Sequence, residues 1–292
     1  GWRAAGRGFF LGERPMAMLI KGTGGRLVCV SLCLLLLMAV PVNAADKKYE
    51  TDSDVESTLA ASTILLFGAG YLLNPDRAPF TEAEIEALDP KDVNAFDRSA
   101  ISNWSPGAAR ASDIMASGSL VAPLTLLASD AARDEGGVIG LMYLETALLS
   151  AGMTYLIKNI SGRTRPYVYS DNPDIPLSAK MESSARRSFS SGHTSTAFSS
   201  LVFLATVFDR LHPESSARGW VWGGCLAAAS TTGYLRYAAG RHFPTDIIAG
   251  AAVGAFAGWV VPKMHELDAI EGDLAGKSRS SRQSVIGFSV GF

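Results

Sequence analysis

Lys158, Arg165 and Arg236 sit in three short stretches that also hold His193, His242 and Asp246: 158–166 (KNISGRTRP), 190–193 (SSGH) and 236–246 (RYAAGRHFPTD). Fixed cations suit a phosphoryl group, which spreads its negative charge over several oxygens and loses it best among preorganised donors. The planar fork of an arginine meets two phosphate oxygens at once and stays charged at any working pH. With two histidines in the same set, one can attack phosphorus while the other protonates the leaving oxygen. Asp246 stands four residues after His242, one helical turn on, where a carboxylate can hold an imidazole in its attacking tautomer. The chemistry expected of this set is phosphate transfer that needs neither metal nor cofactor.

Helix ends are the elements that must position these groups. Ser190 and Ser191 precede a helix-compatible run starting at His193, so they read as N-cap residues, with the first amides of that helix pointing at an anion. Pro244 favours a first helical turn, which puts His242 just outside a helix start and Asp246 just inside it. Two helix N-termini are thus expected to face one phosphate. Apolar helical segments at 57–73, 114–128, 138–157, 194–208, 219–235 and 244–261 alternate with polar connectors, which predicts an all-α, six-helix bundle. Lys158 and Arg165 follow the third segment, His193 opens the fourth, Arg236 follows the fifth and His242 opens the sixth. In an up-and-down bundle all of these fall at one end. Thr81 with Glu84, and Asp89 with Pro90, predict two short surface helices. The polar link 167–189 joins the first two stretches and reads as a mobile substrate lid.

Order and spacing, K-x6-RP, then SGH, then R-x5-H-x3-D, resemble the pattern of the type 2 phosphatidic acid phosphatase (PAP2) superfamily over roughly the last half of the chain. The resemblance implies a bundle of the PAP2 and acid phosphatase type, with Lys158, Arg165 and Arg236 as the phosphate clamp. It implies His242 as nucleophile, oriented by Asp246, and His193 as the acid that protonates the departing alcohol and later helps water hydrolyse a phosphohistidine. Ser191 and the backbone amide of Gly192 would complete the oxygen cage. Two positions depart from the family pattern: Ser190 stands where proline is usual, and Leu235 where serine is usual before the arginine. The first trades loop rigidity for a hydroxyl, and the second removes one hydrogen bond from the cage.

Taken singly, the same residues have plainer roles. A lysine at the end of an apolar helix favours the helix dipole, and a lone histidine is more often a satisfied core or surface residue. The joint pattern outweighs those readings. Arg163 and Arg241, interleaved in the motifs, are expected to face solvent or neighbouring loops. Glu145, inside an apolar segment, reads as a satisfied structural partner ahead of a buried functional carboxylate, and Asp97 and Arg98 read equally as residues that approach the site and as parts of an ordinary amphipathic surface helix.

A net charge of −2 gives no nucleic-acid signal, and 48% hydrophobic against 18% charged residues leans apolar. Cys29 and Cys33 lie in a leader-like segment, leaving Cys225 alone, so neither a disulfide framework nor a cysteine metal site is available. Lys21 and Arg26 precede LVCVSLCLLLLMAV and PVNAAD, the layout of a signal peptide cut near Ala44 or Ala45. Met16 or Met18 would be its start. The expected division is a leader over 1–45, a helical phosphatase domain over 46–271 with its motif core at 150–262, and a polar tail over 272–292 ending in a possible strand. Segments of about 15–20 residues are short for membrane spans, yet their small residues suit packing in lipid. A cleaved leader followed by an inward-spanning first helix would turn the site end to the cytoplasm, whereas the resemblance favours the outer side. The preferred reading is a cell-envelope enzyme in the inner membrane, its site facing the periplasm. Its expected substrate is a phosphorylated lipid or other phosphate ester, with no nucleic-acid partner and no protein partner inferred. A soluble periplasmic acid phosphatase is the runner-up. A vanadate-dependent haloperoxidase sharing the cage is disfavoured by the short chain, and a non-catalytic phosphate binder by the intact His193, His242 and Asp246.

Overall fold

Side-chain caps mark several helix starts in the computed structural model, which describes residues 48–74 and 78–267. Asp52 accepts from the amides of Asp54 and Val55 to open α1 (Ser53–Leu72). Thr81 and Glu84 form the expected capping box on α2 (Glu82–Glu86), and Asp89 caps the 3-10 turn Pro90–Asp92. Ser105 and Pro106 open α3 (Pro106–Val121). The longest helix, α4 (Gly136–Ser161), stops where Gly162 turns left-handed at φ 56°. After the short α5 (Leu177–Lys180) come α6 (Gly192–Leu211), α7 (Arg218–Ala238) and α8 (Pro244–Met264).

Among the described residues the chain is all-α, with one isolated bridge between Tyr49 and Glu266 and no strand. The described residues form eight α-helices rather than six, because α2 and α5 add one turn each to the long ones. The apolar segment expected at 114–128 begins earlier, at Pro106, and continues past Val121 as a 3-10 stretch, since Pro123 offers no amide to an α-helical bond. The leader expected over 1–45 and the tail over 272–292 lie outside the described residues.

α6 is the centre of the bundle, packed against α3, α4, α7 and α8, while α1 packs on the outer face of α4. The α6–α8 contact is the tightest because it is built on glycine. Gly250, Gly254 and Gly258 line one face of α8, and a Cβ on them would come within 2.5, 2.3 and 2.5 Å of the carbonyl oxygens of Ser191, Ser195 and Ser199 on α6. Such backbone-to-backbone approach suits helices that gain little from excluding water. Both sets of residues rise together in number, so α6 and α8 run parallel and start at the same end.

Among the described residues, four helices are long and apolar enough to cross a membrane: Ser53–Leu72, Pro106–Ala128, Gly136–Val168 and Pro244–Met264. Ile64, Leu65, Leu72, Ile114, Val121, Leu124, Ile248, Phe256 and Trp259 all point outward from them. An apolar belt of that extent marks a surface meant for something other than water.

Candidate active site

The three motif stretches converge at the end where α4 finishes and α6 and α8 begin. Lys158 and Arg236 lie within the last turns of α4 and α7, not beyond them as expected, because both helices run on to a glycine turn. The second of these turns depends on Gly240, at φ 67°, where a Cβ would meet the Asn103 carbonyl at 2.0 Å. Its carbonyl accepts from the Tyr167 amide, which ties the last motif to the first.

His242 occupies the loop before α8 and is 1% exposed. Its Nε2 lies 3.2 Å from an Arg165 guanidinium nitrogen, which can only donate. Nε2 therefore presents its lone pair, and the ring proton sits on Nδ1, 3.5 Å from Asp246 Oδ2. That separation is too long for a hydrogen bond, and Nδ1 has no hydrogen-bond partner. Burial holds the His242 ring well below the ordinary histidine pKa, and Arg165, Lys158, Arg236 and His193 press in the same direction. The imidazole is thus neutral at neutral pH, inside an excess of positive charge.

Asp246 is fully buried and held by three donors: Arg163 at 2.7 Å, the Ser188 hydroxyl at 2.5 Å and the Phe243 amide at 2.9 Å. Arg165 is positioned from behind by the carbonyls of Ser184 and Arg241, each at 2.9 Å. Lys158 reaches the Arg187 carbonyl at 3.1 Å. His193 lies in the first turn of α6, with Nε2 2.8 Å from Asp113 Oδ1, and the same carboxylate oxygen stands 3.3 Å from Arg236. Burial and the neighbouring Arg236 lower the His193 pKa to about 4, against the opposing pull of Asp113.

Ser191 is the N-cap residue of α6, but its hydroxyl makes no cap bond and instead accepts from Thr194. Its amide donates to the Asp246 carbonyl at 2.9 Å, which joins the two helix starts directly. Ser190 is buried and its hydroxyl has no partner, so the expected capping by these serines does not occur. The first intrahelical bond is made by the Ser195 amide, so those of Gly192, His193 and Thr194 have no acceptor within the helix.

Three residues here are not legible as site residues in the sequence, and a fourth, Asp97, is only half legible. Arg163 does not face solvent: it bridges Asp246 and the fully buried Asp97, and stacks on Phe243. Asp97 belongs to no surface helix, since it also accepts from the Thr245 amide and hydroxyl at 2.9 and 2.6 Å. Ser188 and Asp113 complete the list. Arg163 carried a signal, its place between Lys158 and Arg165, whereas Asp97 lies 148 residues from Thr245, with nothing in the spacing to say which partner it meets. Arg241 stacks over Trp104 and Tyr167. The link 167–189 is packed rather than loose: Tyr167, Val168, Ile175 and Ala185 form a buried cluster, and Ser188 is delivered from it to Asp246.

Residues 139–268, which span every motif above, match the family model described as PAP2 superfamily. This region belongs to the PAP2 superfamily. Curated relatives are similar to part of this chain. A lipid A 1-phosphatase of Rhizobium johnstonii is 30% identical over 118 residues, covering 40% of this chain and 44% of the relative. A lipid A 4'-phosphatase of Bacteroides thetaiotaomicron is 28% identical over 139 residues, covering 44% of this chain and 56% of the relative. The chain thus spans about half the length of the curated relatives it matches. Among solved structures, a transmembrane PAP2 type phosphatidylglycerolphosphate phosphatase from Bacillus subtilis aligns at 17% identity over 70% of this chain and 94% of that one, with a TM-score of 0.36.

Proposed function

We propose that this protein is a membrane phosphatase that removes a phosphate group from a lipid, of the class that includes lipid A. The observation that carries the reading is the neutral His242 with its Nε2 lone pair turned into a cluster of cations. A phosphate monoester brings the negative charge that this cluster lacks. Lys158, Arg165 and Arg236 bind its oxygens, and the unbonded amides at the start of α6, Gly192 among them, add donors. Ser191 lies at the same edge.

His242 Nε2 attacks phosphorus and forms the P–N bond as the P–O ester bond breaks. The negative charge of the bound phosphate offsets Arg236 and raises the His193 pKa from its low value in the empty site, and the protonated His193 passes its proton to the leaving oxygen. Water then attacks the phosphohistidine and gives a proton back to His193, and the P–N bond breaks to free phosphate and His242. Asp246 stabilises the positive charge that develops on the His242 ring, and its 3.5 Å separation shortens as that charge appears. No step calls for a metal. A cavity of about 230 Å³ opens beside His193, lined by Ala116, Leu120, Gly192 and Thr196, and faces the leaving-group side. Its apolar wall on α3 belongs to one of the candidate spans, which suits a lipid leaving group entering from the bilayer.

The helical domain would occupy 46–271 as a bundle of the PAP2 type in the inner membrane, and a cage end facing the periplasm after cleavage of the leader requires that α1 lie along the bundle without crossing. The testing experiment is phosphate release from lipid A, phosphatidylglycerol phosphate, phosphatidic acid, a polyprenyl diphosphate and a soluble aryl phosphate, using protein in detergent. A lipid preferred over the aryl phosphate by kcat/KM supports the reading. Equal turnover of the soluble ester would point to a broad acid phosphatase instead.

A further inference from the structure

A second buried histidine lies far from the cage. His265 follows α8 and is fully buried, and its Nδ1 is 2.9 Å from the Val261 carbonyl, which can only accept. Nδ1 therefore carries a proton, and Nε2 points the other way, to Glu56 Oε1 at 3.1 Å and Glu145 Oε2 at 3.4 Å. Glu145 is not the satisfied partner expected from the sequence, for its Oε2 is buried without a hydrogen-bond partner. The Glu145 side chain is 12% exposed and that of Glu56 27%, so two carboxylates and an imidazole nitrogen crowd together at the rim of the core, where a cation among them balances the charge.

The spacing identifies a cation that fits. Ligands at about 2.0 Å from a tetrahedral ion stand about 3.3 Å from one another, the geometry preferred by Zn²⁺ with nitrogen and carboxylate donors. The observed separations of 3.1 and 3.4 Å bracket that edge, and the three ligand atoms all lie within 4.8 Å of one another. The Val261 carbonyl also fixes the tautomer, as an outer partner does for a metal-bound histidine. We propose that Glu56, Glu145 and His265 form a Zn²⁺ site, its fourth position open to water on the Glu56 side, tying the start of α1, the first half of α4 and the end of α8.

Glu145 precedes Lys158 by 13 residues of α4, so this site stands about 20 Å from the cage. The ion would therefore support the fold without touching the phosphate. The test uses the full chain in mild detergent, with bound metal counted by mass spectrometry and the melting midpoint followed during chelation. The expected result is about one Zn²⁺ per chain, in line with a single three-ligand site. Chelation should lower the midpoint by several degrees, and Zn²⁺ but not Mg²⁺ should restore it. Glu145→Gln keeps the shape but removes a ligand charge, and should weaken Zn²⁺ binding more than about tenfold, as should His265→Gln. Chains with no bound Zn²⁺ and a midpoint indifferent to added Zn²⁺ would overturn the proposal and leave a shared proton as the cation. Undiminished zinc in Glu145→Gln would overturn it equally, and that measurement stands even where His265→Gln fails to fold.

Discussion

His242 and His265 are both buried, both flank α8, and differ in the sign of what surrounds them. Around His242, Arg165, Lys158 and Arg236 outnumber the carboxylates and the imidazole shows a lone pair. Around His265, Glu56 and Glu145 converge on Nε2. The same side chain is thus prepared for an anion at one end of the bundle and for a cation at the other. What decides is the second ring nitrogen: Nδ1 of His242 points at a carboxylate that will stabilise positive charge, while Nδ1 of His265 is fixed on a neutral carbonyl. A buried histidine is therefore read from its unbalanced neighbours rather than from its burial.

The strongest way to break this contrast is His242→Ala. It should lower phosphate release by more than about 10³-fold, with the melting midpoint and bound metal unchanged. Next is Arg163→Ala, which strips both Asp97 and Asp246 of their shared cation. It should cost about 3 kcal/mol in chemical unfolding and reduce kcat more than it raises KM, since Asp246 acts on the His242 ring. Gly254→Ala sharpens the comparison by striking the spacer between the two ends. Its Cβ would meet the Ser195 carbonyl at 2.3 Å, so a loss of about 1–3 kcal/mol is expected, with activity per folded molecule falling because α6 and α8 part at the cage.

Acidification separates the ends more gently. His193 has a pKa near 4 and His242 one well below 6.5 in the folded chain, so the unfolded chain binds more protons between those values and the ordinary one. The stability they contribute is fully present above about pH 6.5 and declines as pH falls towards 4. The melting midpoint should drop over that window, and added phosphate or vanadate should offset the drop by supplying the missing anion. A midpoint that rose on acidification would contradict the assignment. The smallest effect is expected from Glu145→Gln, which should leave turnover per folded molecule unchanged.

Local signals were readable because they act over a few residues. Thr81 with Glu84, Pro244 at the start of α8, and the four-residue step from His242 to Asp246 each describe one helical turn. The apolar segments were readable for the same reason, though not the short α5 or the early start of α3. Partnerships across the fold were not. Asp97 finds Arg163 66 residues away, and Glu56 finds His265 209 residues away, with no periodicity to link them. The apparent looseness of 167–189 misled because its polar residues conceal Tyr167, Val168 and Ile175, spaced too irregularly to show as an element.

The most direct measurement is rapid acid-free quenching of the enzyme with ³²P-labelled lipid phosphate, followed by mapping of the label. The account predicts an acid-labile, base-stable phosphoryl group on the peptide containing His242, formed and lost at rates compatible with turnover. Rapid turnover with no label on that peptide, or full turnover by His242→Ala, would contradict it.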